Sequence, residues 1–256
     1  MAGAQAIGIK DPFFLSIDLK KAFDSVCRET LWKILRQRGI HPDLVTAIEM
    51  LYDRPTLATL IGPHSDWFQF GPKGLKQGCP LSPLLFAIYI DPLLRKLGTL
   101  THKLTLLKKE PNTFPAYGWI DDLAMVLSKD RVQEALDIIK SYTDVFGMEV
   151  NPVKTIVLNL YSSATPTFQL SGQTILTQPN TDAVKYLGVY ISGTAAKIQQ
   201  LIGHSLSQDL NIYNLYNFGP ADRALIVSHK LVPKYTYRLT SYMPLRNSVS
   251  KKPKTP

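Results

Sequence analysis

Three acidic residues in the sequence have the types and setting that a metal-dependent phosphoryl transfer requires. Asp18 ends the mostly apolar segment 13–18, and Asp121 and Asp122 lie side by side between two apolar segments. Adjacent carboxylates at a strand junction repel each other unless a cation pairs with them, and Mg²⁺ prefers hard oxygen ligands of this kind. Two such ions, about 4 Å apart, activate an attacking hydroxyl and stabilise the leaving oxygen of an in-line displacement. An isolated Asp-Asp pair is more commonly an exposed turn, so its meaning depends on its surroundings.

The apolar patterning predicts strands that would hold these acids. Residues 13–18 predict a buried strand that delivers Asp18 at its end, and residues 116–127 predict two short strands that flank Asp121 and Asp122. Further strands and hairpins are predicted over 56–61 with 67–70, over 155–160, over 169–176 with a turn at Ser171-Gly172, and as one strand over 184–191.

Helices are predicted between these strands. Their apolar faces and end signals place them at 30–37, from Pro42 to about residue 51, at 84–97, at 132–146 with a stop at Gly147, and from about residue 195 with breaks at Pro220 and Pro233. The mixed order of strands and helices predicts an α+β fold, with an antiparallel sheet and helices packed on one face.

The charge of the chain favours a polyanionic partner. The net charge is +9, and the segment from residue 211 onward holds eight basic residues against one acid, with six aromatic residues interleaved. Basic groups suit a phosphate backbone, and aromatic faces suit bases and sugars. A basic surface that only keeps the protein in solution is an equally good interpretation of this feature.

Composition also indicates a location. No apolar run reaches the roughly 18 residues of a membrane span, so we expect no membrane association. The only cysteines are Cys27 and Cys79, which do not make a disulfide framework. We therefore expect an intracellular protein of the nucleus or cytoplasm.

Five segments resemble the ordered motifs A to E of reverse transcriptases. They are SIDLKKAFDSV (16–26), GLKQGCPLSPLLFAIYIDPLLRKL (74–97), YGWIDDLAMVLS (117–128), GMEVNPVKT (147–155) and VKYLGVYIS (184–192). Their order and detail are most similar to the enzymes of non-LTR (LINE-type) retrotransposons, and more distantly to group II intron maturases. Residues 219–244 also resemble the thumb helices of that group.

The resemblance implies a fold, a domain layout and a reaction. It implies a right-hand polymerase in which residues 1–192 form the palm with partial fingers at about 28–76, and residues 193–256 form a partial helical thumb and a basic tail. The implied reaction is RNA-directed DNA synthesis, with an RNA template, a DNA primer and a dNTP as partners. Two Mg²⁺ ions, or Mn²⁺ in their place, are the implied cofactors.

The resemblance also assigns catalytic roles. Asp18 and Asp121 match the principal metal ligands, and Asp122 matches the third acid. Lys154 matches the motif D lysine, which is suited to protonate or neutralise the departing pyrophosphate. Without the resemblance, Lys154 would be an ordinary exposed lysine.

Nucleotide and primer contacts are implied as well. Phe23 matches the gate whose ring clashes with a ribose 2′-hydroxyl, although a core phenylalanine is an equally good interpretation. The other residues that match nucleotide or primer positions are Lys20 and Lys21 at the triphosphate, Gln77 and Gly78 against the nucleotide and template, and Tyr186, Leu187 and Gly188 in the primer grip. The two lysines are alternatively only solvated.

The sequence departs from the family pattern in two places. Trp119-Ile120 precedes the acidic pair where these enzymes more usually have Phe or Tyr followed by Ala, which puts a bulkier residue beside the primer end. Asp18 lies close to Met1, so we expect a fragment or a degenerate copy that lacks the upstream fingers segment. An inactive remnant that only binds nucleic acid is therefore the alternative to a polymerase. A metal-dependent nuclease would leave motif B and the primer grip without a purpose.

Overall fold

The protein is described from a computed structural model. The described residues are 11–53, 56–61, 64–69, 71, 73–100, 103–104, 112–113, 117–119, 122–216 and 218–240. Its strands are β1 (Pro12–Lys20), β2 (Thr56–Ile61), β3 (His64–Gln69), β4 (Lys103–Leu104), β5 (Asn112–Thr113), β6 (Tyr117–Trp119), β7 (Asp122–Ser128), β8 (Glu149–Val150), β9 (Ile156–Asn159), β10 (Thr167–Leu170), β11 (Gln173–Gln178), β12 (Ala183–Tyr186) and β13 (Val189–Ser192). Its helices are α1 (Ala22–Ser25), α2 (Arg28–Gln37), α3 (Pro42–Tyr52), α4 (Ser82–Gly98), α5 (Lys129–Phe146), α6 (Ala195–Leu215), α7 (Pro220–Ile226) and α8 (Val232–Thr240).

A central sheet has β1 near its middle. The strand order is β10-β11-β9-β1-β7-β6, and β8 pairs with the far end of β1. Strand β1 runs antiparallel to β7, β8 and β9, whereas β11 runs parallel to β9. The predicted sheet around the acidic residues is confirmed, with one parallel pairing in an otherwise antiparallel arrangement.

The two faces of β1 follow from the alternation of its side chains. Phe13, Leu15 and Ile17 are fully buried and belong to the same core cluster as Phe86 of α4 and Leu136 of α5. Burying each of these side chains contributes about 1.5–3 kcal/mol. This packing confirms the α+β fold with the long helices on one face of the sheet.

The opposite face of the sheet is covered by a β-hairpin. Phe14 and Leu158 form a second buried cluster with Val184 of β12, and the Tyr186 ring packs edge-on against Phe14 at a centroid distance of 5.8 Å. The prediction of one strand over 184–191 is wrong, because β12 and β13 pair antiparallel with a turn between them. At the turn Leu187 has φ 44° and Gly188 has φ 85°. These left-handed conformations reverse the chain, and a continuous apolar pattern does not reveal them.

Most predicted helix ends are confirmed. Helix α3 begins at Pro42, and α5 ends at Gly147, whose φ of 66° closes the helix while its amide bonds to the Thr143 carbonyl. The prediction that Pro233 breaks the helical region is wrong. A π-helical turn at Val227–Leu231 joins α7 to α8, and Pro233 lies in the first turn of α8. Proline has no amide hydrogen to donate to the preceding helical turn, and the wider π-helical turn accommodates this missing hydrogen bond.

Two further predictions concern the hairpin at 56–70 and the membrane. Strands β2 and β3 pair as predicted, although β3 begins at His64 rather than at residue 67, and Gly62-Pro63 lies outside the described residues.

Within the described part of the chain, no helix combines the length and the apolarity needed to cross a membrane.

Candidate active site

The register of the central sheet brings two of the three predicted acids together. Asp18 of β1 lies directly opposite Asp122 of β7. Directly opposed residues project to the same face, with Cβ atoms about 4.5–5.5 Å apart. This is the face that carries Phe14 and the β12–β13 hairpin. Asp121 lies outside the described residues, so its place in the triad stays a prediction.

Asp18 is held by two side chains from the segment after β8. The Lys154 ammonium lies 3.3 Å from Asp18 Oδ1, and the Asn151 amide donates to Oδ2 at 3.3 Å. The Asn151 backbone amide also donates to the Asp18 carbonyl at 2.9 Å. These contacts bring the predicted lysine to the predicted acid. Our sequence reasoning missed Asn151, although it lies inside the motif D segment and could have been found there.

Asn151 also shapes the turn that presents Lys154. Its carbonyl accepts from the Lys154 amide at 3.2 Å and from the Thr155 amide at 3.0 Å. The Thr155 hydroxyl donates to the same carbonyl at 2.9 Å. One residue thus bonds both to the turn and to Asp18, which brings the backbone of Lys154 close to that acid.

The donor set suits a hard divalent cation. Asp18 and Asp122 are carboxylates on one face, and Asp18 is 21% exposed, so it can reach solvent ions. Lys154 is 65% exposed and places a positive charge beside Asp18. No group of three acidic, histidine or cysteine side chains is found within the described residues, which do not include Asp121. The residues that could hold an ion are thus Asp18, Asp122 and the undescribed Asp121.

The loop before α4 docks against the segment that follows Asp18. The Gly74 and Leu75 amides donate to the carbonyls of Val26 and Phe23 at 2.8 and 2.9 Å. A Cβ on Gly74 would lie 3.0 Å from the Asp24 backbone, so this close approach requires glycine. The loop is thereby pinned to α1 directly after β1.

This loop carries Gln77 and Gly78, and Gln77 bonds to motif A. The Gln77 amide donates to Asp24 Oδ1 at 3.3 Å, and Gly78 has φ 83°. The structure therefore places Gln77 beside the segment that carries Phe23. Their contacts with a nucleotide and template remain predictions.

Phe23 has features of both interpretations that the sequence left open. Its ring stacks on Phe86 with centroids 5.1 Å apart and an interplanar angle of 19°, and it packs against the main core while staying partly exposed. A ring that stacks on a core residue and stays partly exposed is suited to a steric gate. The gating role itself remains a prediction.

Lys20 and Lys21 lie at the end of β1 and are exposed. Lys20 pairs with Glu149 at 3.4 Å, an exposed contact of small energetic value. Lys21 has φ 46° and turns the chain from β1 into α1. The predicted triphosphate contacts of both lysines remain open.

The predicted primer grip is attached to the strand that carries Asp122. The Tyr186 hydroxyl donates to the Asp122 carbonyl at 3.4 Å. Burial raises the pKa of Tyr186, and the Asp122 charge raises it further, so the hydroxyl keeps its proton as a donor. Leu187 and Gly188 form the turn at the end of the same hairpin.

Some of the basic residues near the C-terminus make contacts with other groups of the protein. Lys234 pairs with Asp209 at 2.6 Å, and Arg238 is 6% exposed with its Nε donating to the Gly188 carbonyl at 3.2 Å. Arg223 and Lys230 are exposed. The remaining basic residues of the segment, which are Arg246, Lys251, Lys252 and Lys254, lie outside the described residues.

The family profile described as "Reverse transcriptase (RNA-dependent DNA polymerase)" matches residues 4–191. The chain is 28% identical over 242 residues to the "Retrovirus-related Pol polyprotein from type-1 retrotransposable element R2" of Nasonia vitripennis, which covers 90% of this chain and 23% of that protein. It is 24% identical over 238 residues to the "Retrovirus-related Pol polyprotein from type-2 retrotransposable element R2DM" of Drosophila melanogaster, with 89% of this chain and 22% of that protein covered.

The chain therefore spans less than a quarter of the length of these two relatives. Among solved structures, a telomerase from Candida tropicalis aligns with a TM-score of 0.43 and 15% identity, over 66% of this chain and 34% of that chain. The profile and the retrotransposon relatives confirm the resemblance to non-LTR reverse transcriptases that the five motifs indicated.

Proposed function

We propose that this chain, which belongs to the reverse transcriptase (RNA-dependent DNA polymerase) family, extends a DNA primer on an RNA template. The observation that supports this most directly is the pairing of Asp18 with Asp122 across β1 and β7, with Lys154 at 3.3 Å from Asp18. A carboxylate pair that can hold metal ions beside an exposed lysine suits a reaction in which a triphosphate is cleaved.

The roles of the chain's own groups follow from their positions. Bound at these carboxylates, two Mg²⁺ ions would lower the pKa of the primer hydroxyl and neutralise the phosphate charge. Asp18 and Asp122 would hold the ions, and the motif assigns Asp121 to the same role. Lys154 lies where it can donate a proton to the leaving pyrophosphate, and Asn151 keeps that lysine beside Asp18.

The remaining sites assemble the substrate around this centre. Phe23 lies under the incoming sugar, with Gln77 and Gly78 of the docked loop beside it. The β12–β13 hairpin supports the primer terminus through its attachment to the Asp122 strand. Residues up to 192 would form the palm with partial fingers at 28–76, and the helices from 193 onward would form part of the thumb.

The direct test is primer extension by the chain with an RNA template, a DNA primer and dNTPs. We expect extension in Mg²⁺ and none in excess EDTA. Duplex binding, measured by fluorescence anisotropy without nucleotide, should persist in EDTA because phosphate contacts from basic side chains do not need the ion. Extension that continues in excess chelator would contradict the metal assignment. Binding without any extension would support the nucleic-acid-binding remnant instead.

Replacing the proposed gate should change sugar selection. We expect Phe23→Val to raise the ratio of ribonucleotide to deoxyribonucleotide incorporation about tenfold, because removing the ring opens space for a 2′-hydroxyl. The measurement is kcat/KM for matched rNTP and dNTP on one template.

Phe168→Val, the same change in the buried side of β10, is the matched control and should leave the ratio unchanged. An unchanged ratio in Phe23→Val would show that Phe23 only packs on Phe86 and that the gate lies elsewhere.

A further inference from the structure

The turn between β12 and β13 is gripped by the last described helix. The Tyr237 hydroxyl of α8 donates to the Leu187 carbonyl at 3.1 Å, and Arg238 Nε donates to the Gly188 carbonyl at 3.2 Å. Tyr237 Cε1 would lie only 3.6 Å from a Cβ on Gly188, so the ring rests against the turn. Two consecutive residues of one helix thus bind the two central carbonyls of the turn.

The turn has a conformation that needs external support. Leu187 has φ 44°, a left-handed conformation that is unfavourable for a residue with a branched side chain, and its side chain is exposed. Such residues persist where the surrounding structure over-determines them. The Leu187 and Gly188 carbonyls are fixed by α8, which supplies that constraint.

Arg238 is itself fixed on the side away from the turn. One terminal nitrogen of its guanidinium donates to the Ser205 hydroxyl of α6 at 2.9 Å, and the group lies over the rings of Tyr190 and Tyr235 at 5.5 and 5.4 Å. A guanidinium buried among these partners is a structural cation rather than a phosphate contact.

Asp209 strengthens the same connection between α6 and α8. Its carboxylate accepts from Lys234 and from the Tyr235 hydroxyl, each at 2.6 Å. Although burial opposes ionisation, these donors hold the pKa of Asp209 below its usual value. Helix α8 is therefore anchored to α6 where it meets the turn.

The residue at the turn end of β12 contacts the strand that carries Asp122. Tyr186 precedes Leu187 and donates to the Asp122 carbonyl at 3.4 Å. A shift of the turn would consequently displace the strand that carries Asp122.

We propose that Tyr237 and Arg238 are positioning residues that hold the Leu187-Gly188 turn in the shape that seats the primer 3′ end. The inference rests on the proposed polymerase function, because the primer role of the hairpin comes from that proposal. Neither side chain contacts the substrate; both act through the two turn carbonyls. Helix α8 thereby couples the helices after residue 193 to primer placement.

The decisive variant is Tyr237→Phe, which removes one hydroxyl and keeps the ring against Gly188. The measured quantity is the Kd of the chain for an RNA template with a recessed DNA primer, compared with its Kd for the same template without primer. We expect the variant to bind the primed template about fivefold more weakly, the usual cost of one hydrogen bond, and the unprimed template as the wild type does. Tyr216→Phe, another exposed tyrosine after α6, is the matched control and should change neither Kd.

Arg238→Lys provides a second measurement that keeps the charge. Lysine lacks the forked donors that join Gly188 to Ser205. The Arg238→Lys protein should therefore also lose the preference for the primed template. The slope of log Kd against log salt should stay unchanged, because no phosphate contact is removed. Where Arg238→Lys fails to fold, Tyr237→Phe decides.

The outcomes separate this inference from the proposed function. Equal Kd values for Tyr237→Phe and wild type, a parallel loss on both templates, or a wild-type chain with no preference for the primed template would each overturn the positioning role. A wild-type chain that prefers the primed template and loses that preference in Tyr237→Phe supports the positioning role. If that same chain never extends the primer, only the polymerase proposal fails.

Discussion

Asp18→Asn is expected to abolish primer extension while leaving the protein folded. The substitution keeps the size of the side chain and removes its charge, so it removes a hard ligand for the ions. Loss of such a ligand costs several kcal/mol of transition-state stabilisation, which corresponds to a rate at least about a thousandfold lower. Steady-state extension with saturating dNTP measures this loss.

The fold should tolerate Asp18→Asn because its partners are polar and can adapt. Asn151 can turn its amide to bond the new side chain, and Lys154 is 65% exposed and returns to water. We expect the melting temperature to stay within a few degrees of the wild type. The same loss of activity is expected for Asp122→Asn and, from the motif assignment, for Asp121→Asn.

Asp182→Asn is the matched control for this series. Asp182 is an exposed acid in the turn before β12 and lies outside the five motif segments. It undergoes the same chemical change and should retain full extension. Wild-type rates in Asp18→Asn would refute the assignment of Asp18 as a metal ligand, and with it the proposed site.

Lys154→Met is expected to reduce the extension rate about a hundredfold without weakening duplex binding. General acid catalysis contributes roughly 10²–10⁴-fold, and methionine keeps much of the side-chain length while removing the charge and the proton. Lys154 Nζ lies 3.3 Å from Asp18 Oδ1, beside the proposed site of the triphosphate. Single-turnover extension separates this chemical step from product release.

Lys154→Arg distinguishes proton donation from charge. Arginine restores the positive charge but does not give up a proton in proteins. A variant as slow as Lys154→Met indicates proton transfer, whereas recovery in Lys154→Arg indicates electrostatic stabilisation alone. Lys185→Met, at an exposed position of β12, is the control for the loss of one surface charge. Full activity in Lys154→Met would remove the lysine from the mechanism.

Local patterns in the sequence were sufficient for most of the elements. The apolar run at 13–18 identified β1, and Gly147 identified the end of α5, because strand and helix-cap signals depend on neighbouring residues. The order of the five motifs identified the family and directed attention to Asp18 and Lys154. The same local reasoning missed the turn at Leu187-Gly188, since an apolar run does not encode a positive φ at a leucine.

The tertiary structure decided which distant groups meet. The pairing of Asp18 with Asp122 depends on the register between β1 and β7, a non-local property set by the packing of both faces. The contact of Asn151 with Asp18, and the grip of Tyr237 and Arg238 on the turn, likewise join segments far apart in the chain. Composition left open whether Lys234 and Arg238 belong to a nucleic-acid surface, and only the packed structure showed that Lys234 pairs with Asp209 and that Arg238 bonds to the Gly188 carbonyl. The sequence by itself thus determined the residue types and the local elements of this protein. Long-range packing decided which of its charged side chains pair with other groups of the protein and which stay exposed.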